Sequence, residues 1–159
     1  MTTATIRAFL WNGAAMLAAA SSAHGAVNSA CLLTPAELQA ATGRTFENGQ
    51  AGDNALDGAV QCYYTEKGKP QRKLTVGIAG ANAKVQFESR MRLLQMGKEP
   101  IDLTGVGDAA YFNGTSAGVL AGPRLITLSG LRRASDPKVA PDKAADLLRT
   151  ALKRAASNG

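Results

Sequence analysis

The chain has 159 residues, enough for one domain, and its 45% of hydrophobic residues argues against intrinsic disorder. Lys and Arg number 18 against 12 Asp and Glu, which gives a formal net charge of +6 at pH 7. One His and two Cys form no repeated Cys/His cluster, so the sequence predicts no metal site and no cofactor.

Residues 1–25 have the pattern of a cleaved secretory signal peptide. Arg7 is followed by an apolar stretch at 8–20, which is shorter than the roughly 20 residues that a membrane-spanning helix needs. Small residues suited to cleavage follow at 21–26. We therefore expect a periplasmic or secreted protein with no transmembrane segment, whose residues 26–159 form a single α+β domain. The alternative is the frayed N-terminal helix of a cytosolic protein.

The two cysteines, Cys31 and Cys62, both follow that segment. An even number of cysteines in an oxidising compartment predicts a disulfide, here one that closes a loop of about 30 residues and stabilises the fold by roughly 3–4 kcal/mol. The alternative is a lipid anchor on Cys31, which requires an apolar residue three positions earlier. Asn28 occupies that position.

Three helices are predicted by capping signals and by apolar residues at helical spacing. Thr34, Pro35 and Glu37 have the spacing of a capping box, so the first helix begins there, and Gly43 ends it. The second begins at Asn82 or Ala83, and its apolar stripe comprises Ala83, Val85, Phe87, Met91 and Leu94. The third begins at Pro141, and its apolar stripe comprises Ala144, Leu147, Leu148, Ala151, Leu152 and Ala155. Four of its basic residues are expected to project to solvent, namely Lys143, Arg149, Lys153 and Arg154.

Five strands are predicted between the helices, at 60–65, 73–78, 110–113, 119–121 and 125–128. The Gly-, Asn- and Asp-rich residues 47–59 are interpreted as a loop. The order is therefore α-β-β-α-β-β-β-α. Hairpins with interspersed helices indicate an α+β fold, an antiparallel sheet of about five strands with amphipathic helices packed on one face.

The sequence offers few groups for catalysis. His24 lies at the expected cleavage site, so the rest of the chain has no His to act as a general base. Asp53, Asp57 and Asp108 are the candidates for paired-carboxylate chemistry, but they stand among Gly and Asn residues typical of turns. Residues 105–110 match the dinucleotide pattern G-x-G-x-x-A, yet they precede a strand instead of opening a helix. We expect no catalytic residue and a protein that is not an enzyme.

Tyr63, Lys73, Tyr111 and Arg124 are the candidate binding residues, since cations and tyrosines provide contacts when exposed. Basic residues interleaved with exposed aromatics are typical of single-stranded nucleic-acid binders. An exported protein rarely meets such a partner, so no nucleic-acid partner is expected. The positive balance allows a weak attraction to anionic surfaces of the envelope.

Three motifs occur in order along the chain. They are Cys-Leu-Leu-Thr-Pro-Ala-Glu-Leu at 31–38, Gln-Cys-Tyr-Tyr at 61–64 and Gly-Val-Gly-Asp-Ala-Ala-Tyr at 105–111. Over about residues 31–130 the chain resembles the small secreted proteins and lipoproteins of bacterial envelopes. The resemblance implies an exported α+β domain with a bridged Cys pair, and it implies no catalytic residues. Many of those proteins carry a lipobox before the first Cys, which this chain lacks, so lipid anchoring is not carried over.

These observations favour an exported, non-enzymatic binding or interaction module of the bacterial periplasm or cell exterior, whose ligand is an unknown protein or small molecule. One alternative is a carboxylate-dependent hydrolase, which turnover on glycosides and esters would identify. Another is an inhibitor or immunity-type protein for a secreted partner, which co-purification from the envelope would identify.

Overall fold

The computed structural model describes residues 30–52, 59–97 and 99–158. The predicted signal peptide lies outside the described residues. The helices are α1 (Pro35–Thr42), α2 (Ala83–Gln95) and α3 (Pro141–Ser157). The strands are β1 (Gln50–Gly52), β2 (Val60–Glu66), β3 (Lys69–Ala79), β4 (Ile101–Asp102), β5 (Ala109–Phe112), β6 (Ser116–Ala121) and β7 (Arg124–Ser129). The α+β class is confirmed, and no helix in the described part of the chain is long and apolar enough to cross a membrane.

The strands form one antiparallel sheet in the order β1-β2-β3-β7-β6-β5-β4. The prediction of about five strands was wrong, because short β1 and β4 lie at the two edges and make the order α-β-β-β-α-β-β-β-β-α. β1 lies within the segment interpreted as a loop, and β4 has only two residues. Both strands are too short to show an alternating pattern in the sequence. They are defined only by pairing with the neighbouring strand, with Ala51 opposite Cys62 and Ile101 opposite Phe112.

Helices cover both faces of the sheet, so the prediction that they pack on one face was also wrong. Val76 and Leu128 are paired in the central strands and belong to the same buried cluster as the apolar residues of α3. Ala79 and Leu125 are paired on the opposite face and cluster with α2. Periodicity shows that a helix has an apolar stripe, but it does not show which face of the sheet that stripe covers.

The main core lies between the sheet and α3, which also contacts α1. The apolar stripe of α3 predicts that Leu148 and Leu152 are both buried against the sheet; Leu148 is completely buried, whereas Leu152 is half-buried and packs against the same cluster. Cys31 and Cys62 form the predicted disulfide, which joins the segment before α1 to β2. Next to it, the buried Tyr64 hydroxyl donates a hydrogen bond of 2.7 Å to the backbone carbonyl of Leu33.

α2 packs more lightly than α3 and departs from its predicted stripe. Ala83 and Phe87 are buried, and Met91 is partly buried against them. Val85 is 61% exposed, because two residues advance a helix by about 200° and carry Val85 away from the face of Ala83. Three further apolar side chains are exposed, namely Leu93, Met96 and Ile101.

Candidate functional site

Two of the four predicted binding residues, Tyr63 and Lys73, meet on the sheet. Tyr63 pairs with Thr75, which places Lys73 diagonally across from the tyrosine on the same face of the β2–β3 hairpin. Lys73 Nζ lies 5.6 Å from the centroid of the half-buried Tyr63 ring, within cation–π range. The Tyr63 hydroxyl donates to Gln61 Oε1. Lys73 itself is exposed, so its ammonium remains accessible beside a fixed ring.

The other two lie elsewhere. Tyr111 is 3% exposed, its ring is 5.8 Å from that of Phe87, and burial raises the pKa of its hydroxyl. The structure therefore places Tyr111 in the core under α2. Arg124 Nη1 donates a 2.8 Å hydrogen bond to the carbonyl of Ala155, near the C-terminus of α3. A cation there satisfies a helix-terminal carbonyl and complements the helix dipole.

A buried ionic cluster of Arg44, Glu66, Arg72 and Asp136 lies where the β2–β3 turn meets the loop before α3. Arg44 Nη1 lies 3.4 Å from both Glu66 Oε2 and Asp136 Oδ2. Arg72 Nε lies 3.2 Å from Glu66 Oε2, and its Nη2 pairs with Asp136 Oδ1. Arg44 Nη2 also donates to two backbone carbonyls that follow β7, at 2.6 and 2.9 Å. Sequence reasoning missed this cluster, because Arg44 and Asp136 lie in separate loops far from the β2–β3 hairpin that carries Glu66 and Arg72, and the four share no spacing.

Both carboxylates of the cluster are held ionised. Burial by itself would raise the pKa of Glu66, but the hydrogen bond from Lys69 and the charges of Arg72 and Arg44 outweigh it and lower the net pKa. The pKa of Asp136 is lowered chiefly by its hydrogen bond with Arg72. A carboxylate with a lowered pKa is a poor general acid at neutral pH, so these two groups suit a structural role.

Five cations adjoin the members of the cluster along the chain: Lys67 follows Glu66, Lys73 follows Arg72, and the other three flank Asp136 between β7 and α3. We call them the basic end, and they are Lys67, Lys73, Arg132, Arg133 and Lys138. None of them forms an ion pair with another described residue, because the nearby carboxylates of Glu66 and Asp136 are engaged by the cluster and by Lys69. Glu47 brings one exposed carboxylate to the same end through its backbone bond to Thr65. The basic end therefore carries a net positive charge.

Asp108, the described member of the predicted carboxylate set, lies at the opposite end of the sheet. Its Oδ2 accepts a 2.6 Å hydrogen bond from the Gly122 N–H in the β6–β7 turn. Gly105 and Gly107 have φ of +74° and +60° and form a turn before β5, which agrees with the interpretation of 105–110 as a turn. Asp53 and Asp57 lie outside the described residues. Among the residues that are described, no group of three or more His, Cys, Asp or Glu is placed to hold a metal ion.

No protein-family model matches this chain, and neither a curated protein nor a solved structure matches it significantly. The resemblance to small envelope proteins stays an expectation.

Proposed function

We propose that the chain is an exported, non-enzymatic binding module of the bacterial periplasm or cell exterior that binds an anionic partner of the envelope at its basic end. The observation that carries this proposal is the separation of charge at that end. The carboxylates of Glu66 and Asp136 are engaged by the arginines of the buried cluster. The five cations of the basic end therefore have no carboxylate partner in the described structure. Opposite charge on a partner would be attracted to such a surface and oriented by it.

Two further observations support the proposal. The Cys31–Cys62 disulfide is typical of proteins that fold in oxidising compartments. The carboxylates that a hydrolase would need have structural duties instead, since Glu66 and Asp136 hold loops together and Asp108 binds a turn N–H. Binding therefore fits the described side chains better than carboxylate catalysis does.

Tyr63 and Lys73 lie on the border of this surface. The cation–π contact of the Lys73 ammonium with the ring restricts the lysine side chain, so the side chain loses less rotamer entropy when it binds a partner. We assign Lys73 as a contact of the partner and Tyr63 as the residue that positions it.

Binding to a polyphosphate chain of defined length, measured by calorimetry at several salt concentrations, tests the proposal. We expect the double variant Lys67→Gln/Lys73→Gln to lose about tenfold in affinity, because each lost charge contact costs on the order of 0.7 kcal/mol at a solvated surface. The matched control is Lys84→Gln/Lys153→Gln, which removes two exposed lysines from α2 and α3 and leaves the same net charge. Equal losses in the two double variants would show non-specific attraction and would refute the proposal.

A further inference from the structure

We infer that a phosphate group binds in a depression of about 280 Å³ between the β5–β6 turn and the loop that joins β7 to α3. This inference rests on the proposed function and identifies the anionic group that the basic end recognises. The lining residues are Asn113, Gly114, Thr115, Arg132, Lys138 and Val139. Two of the six are cations and none is a carboxylate.

The turn that forms one wall is rigid. Asn113 Oδ1 accepts hydrogen bonds from the N–H groups of Thr115 and Ser116, at 3.0 and 2.7 Å, and from the Thr115 hydroxyl at 3.1 Å. The carbonyl of Thr115 accepts a 2.9 Å bond from the N–H of Leu131, which fixes the turn to the opposite wall. A ligand entering the depression therefore meets a wall that is already ordered, and binding has little ordering cost.

Arg132 differs from the two arginines of the buried cluster in its partners. Arg44 and Arg72 are paired with carboxylates, so their charge is compensated. Arg132 donates through Nε to the backbone carbonyl of Asp136 at 3.1 Å, and through Nη2 to that of Ala134 at 3.5 Å. Neutral carbonyls orient the guanidinium without neutralising it. The described structure thus holds Arg132 in place with its charge uncompensated.

Lys138 supplies a second, more adaptable charge. Its side chain is exposed and has no ion pair with any described residue. A guanidinium presents several donors in a planar fork that matches phosphate geometry, whereas an ammonium acts as a mobile point charge. The combination of Arg132 and Lys138 therefore suits a tetrahedral oxyanion better than it suits a flat, uncharged ligand.

Amide chemical shifts of the disulfide-bonded protein, titrated with inorganic phosphate at constant ionic strength, test the site. The largest shifts are expected at Gly114, Thr115 and residues 131–139. Arg132→Gln should weaken phosphate binding about tenfold or more, since hydrogen bonds between two charged groups are stronger than those between neutral groups. Lys138→Gln, which breaks no described contact, should weaken it about threefold or more.

Lys84→Gln serves as the matched control, because it removes one exposed lysine far along the chain on α2. Shifts that spread over the whole basic end, or equal losses in Lys84→Gln and Lys138→Gln, would overturn the site. Because Arg132 also binds the loop backbone, Lys138→Gln keeps the test valid if Arg132→Gln fails to fold.

A second titration with glycerophosphoglycerol, a phosphodiester, distinguishes the sources of the phosphate group. Binding of inorganic phosphate alone supports a free phosphate ligand, and binding of the diester at the same residues supports a phosphate in a polymer or lipid headgroup. Binding of neither overturns the inference.

Loss of polyphosphate binding in Lys67→Gln/Lys73→Gln without any phosphate site would leave the proposed function standing. Conversely, if phosphate binds in the depression but Lys67→Gln/Lys73→Gln binds polyphosphate as tightly as the parent, the inferred phosphate site stands and the proposed function is refuted.

Discussion

Glu37 and Arg154, 117 residues apart, form a two-pronged ion pair that joins α1 to α3. Both guanidinium Nη atoms lie 2.7 Å from the two carboxylate oxygens, and Nη1 also donates to the carbonyl of Leu32. The hydrogen bond from Arg154 lowers the pKa of Glu37. The expectation that Arg154 projects freely to solvent was therefore wrong, because α1 packs beside the last turns of α3.

This pair should show measurable coupling in a double-mutant cycle of Glu37→Gln and Arg154→Gln. Gln keeps the capping function at position 37, so the cycle isolates the ion pair. We expect a coupling free energy of about 1 kcal/mol, at the upper end for partly exposed pairs because the geometry is bidentate. The more exposed Asp146–Arg149 pair is the control, with about 0.3 kcal/mol. Equal coupling in the two cycles would contradict this ranking.

The buried ionic cluster predicts how stability depends on pH. Asp136 is ionised in the folded state and has a lowered pKa, so it contributes stability that is complete above its unfolded pKa of about 4 and is lost as pH falls through the folded value. The free energy of unfolding, measured with urea from pH 7 to pH 2, should fall in the parent as the pH drops below about 4. It should fall less steeply over the same pH range in Asp136→Asn.

At pH 7 the same Asp136→Asn variant should lose about 3 kcal/mol or more, because the side chain is 8% exposed and both Arg44 and Arg72 lose a charged partner. Asp142→Asn, on the exposed first turn of α3, should follow the parent curve to within about 0.5 kcal/mol. A parent-like acid limb in Asp136→Asn would show that the carboxylate is not the titrating group.

The disulfide predicts a loss of stability that is independent of binding. Cys31→Ser/Cys62→Ser should lower the free energy of unfolding by about 2–5 kcal/mol, since the bridge closes a long loop in the unfolded chain. Thiol titration of the denatured, non-reduced parent should detect no free thiol. Polyphosphate affinity should be unchanged wherever the variant is folded. Free thiols in the parent, or a double variant with the same melting temperature as the parent, would contradict the prediction.

The packing of α3 predicts that substitutions on its buried and exposed faces have very different effects on stability. Leu148→Ala should cost about 2–5 kcal/mol, because Leu148 is fully buried and truncation leaves a cavity. Lys153→Glu reverses an exposed charge on the same helix and should change stability by less than about 0.5 kcal/mol. Thermal and urea unfolding of both variants checks this, and a Leu148→Ala protein as stable as the parent would exclude the packing described.

Local signals were sufficient for part of this fold. The capping box of Thr34 and Glu37 forms as predicted, and Gly43 ends α1 with a φ of 70°. Such features depend on residues within one or two turns, which the sequence places next to each other. The same holds for the alternation in β2 and β3 and for the stripe of α3. The disulfide followed from the number of cysteines.

Features that depend on pairing or on layer order were not accessible in this way. The sequence predicts Tyr111 as a binding residue on the assumption that it is exposed, yet α2 covers its side of β5. Its ring also lies across Gly118 of the next strand, where a Cβ would be 2.6 Å from Cε1. The ionic cluster and the depression beside Arg132 arise where segments distant in the chain meet. Of the four predicted binding residues, Tyr63 and Lys73 lie together at the candidate surface, brought there by the hairpin register.

The contact between the first helix and the last has a consequence for the order in which the core can close. Leu32 and Glu37 lie 122 and 117 residues before Arg154, their partner on α3, so they are synthesised well before it. Until residues 141–157 emerge from the ribosome, the sheet face beneath α3 stays uncovered and α1 lacks its partner helix. The main core can therefore close only after α3 has been synthesised, and the chain before that point presents an open apolar sheet that chaperones can recognise.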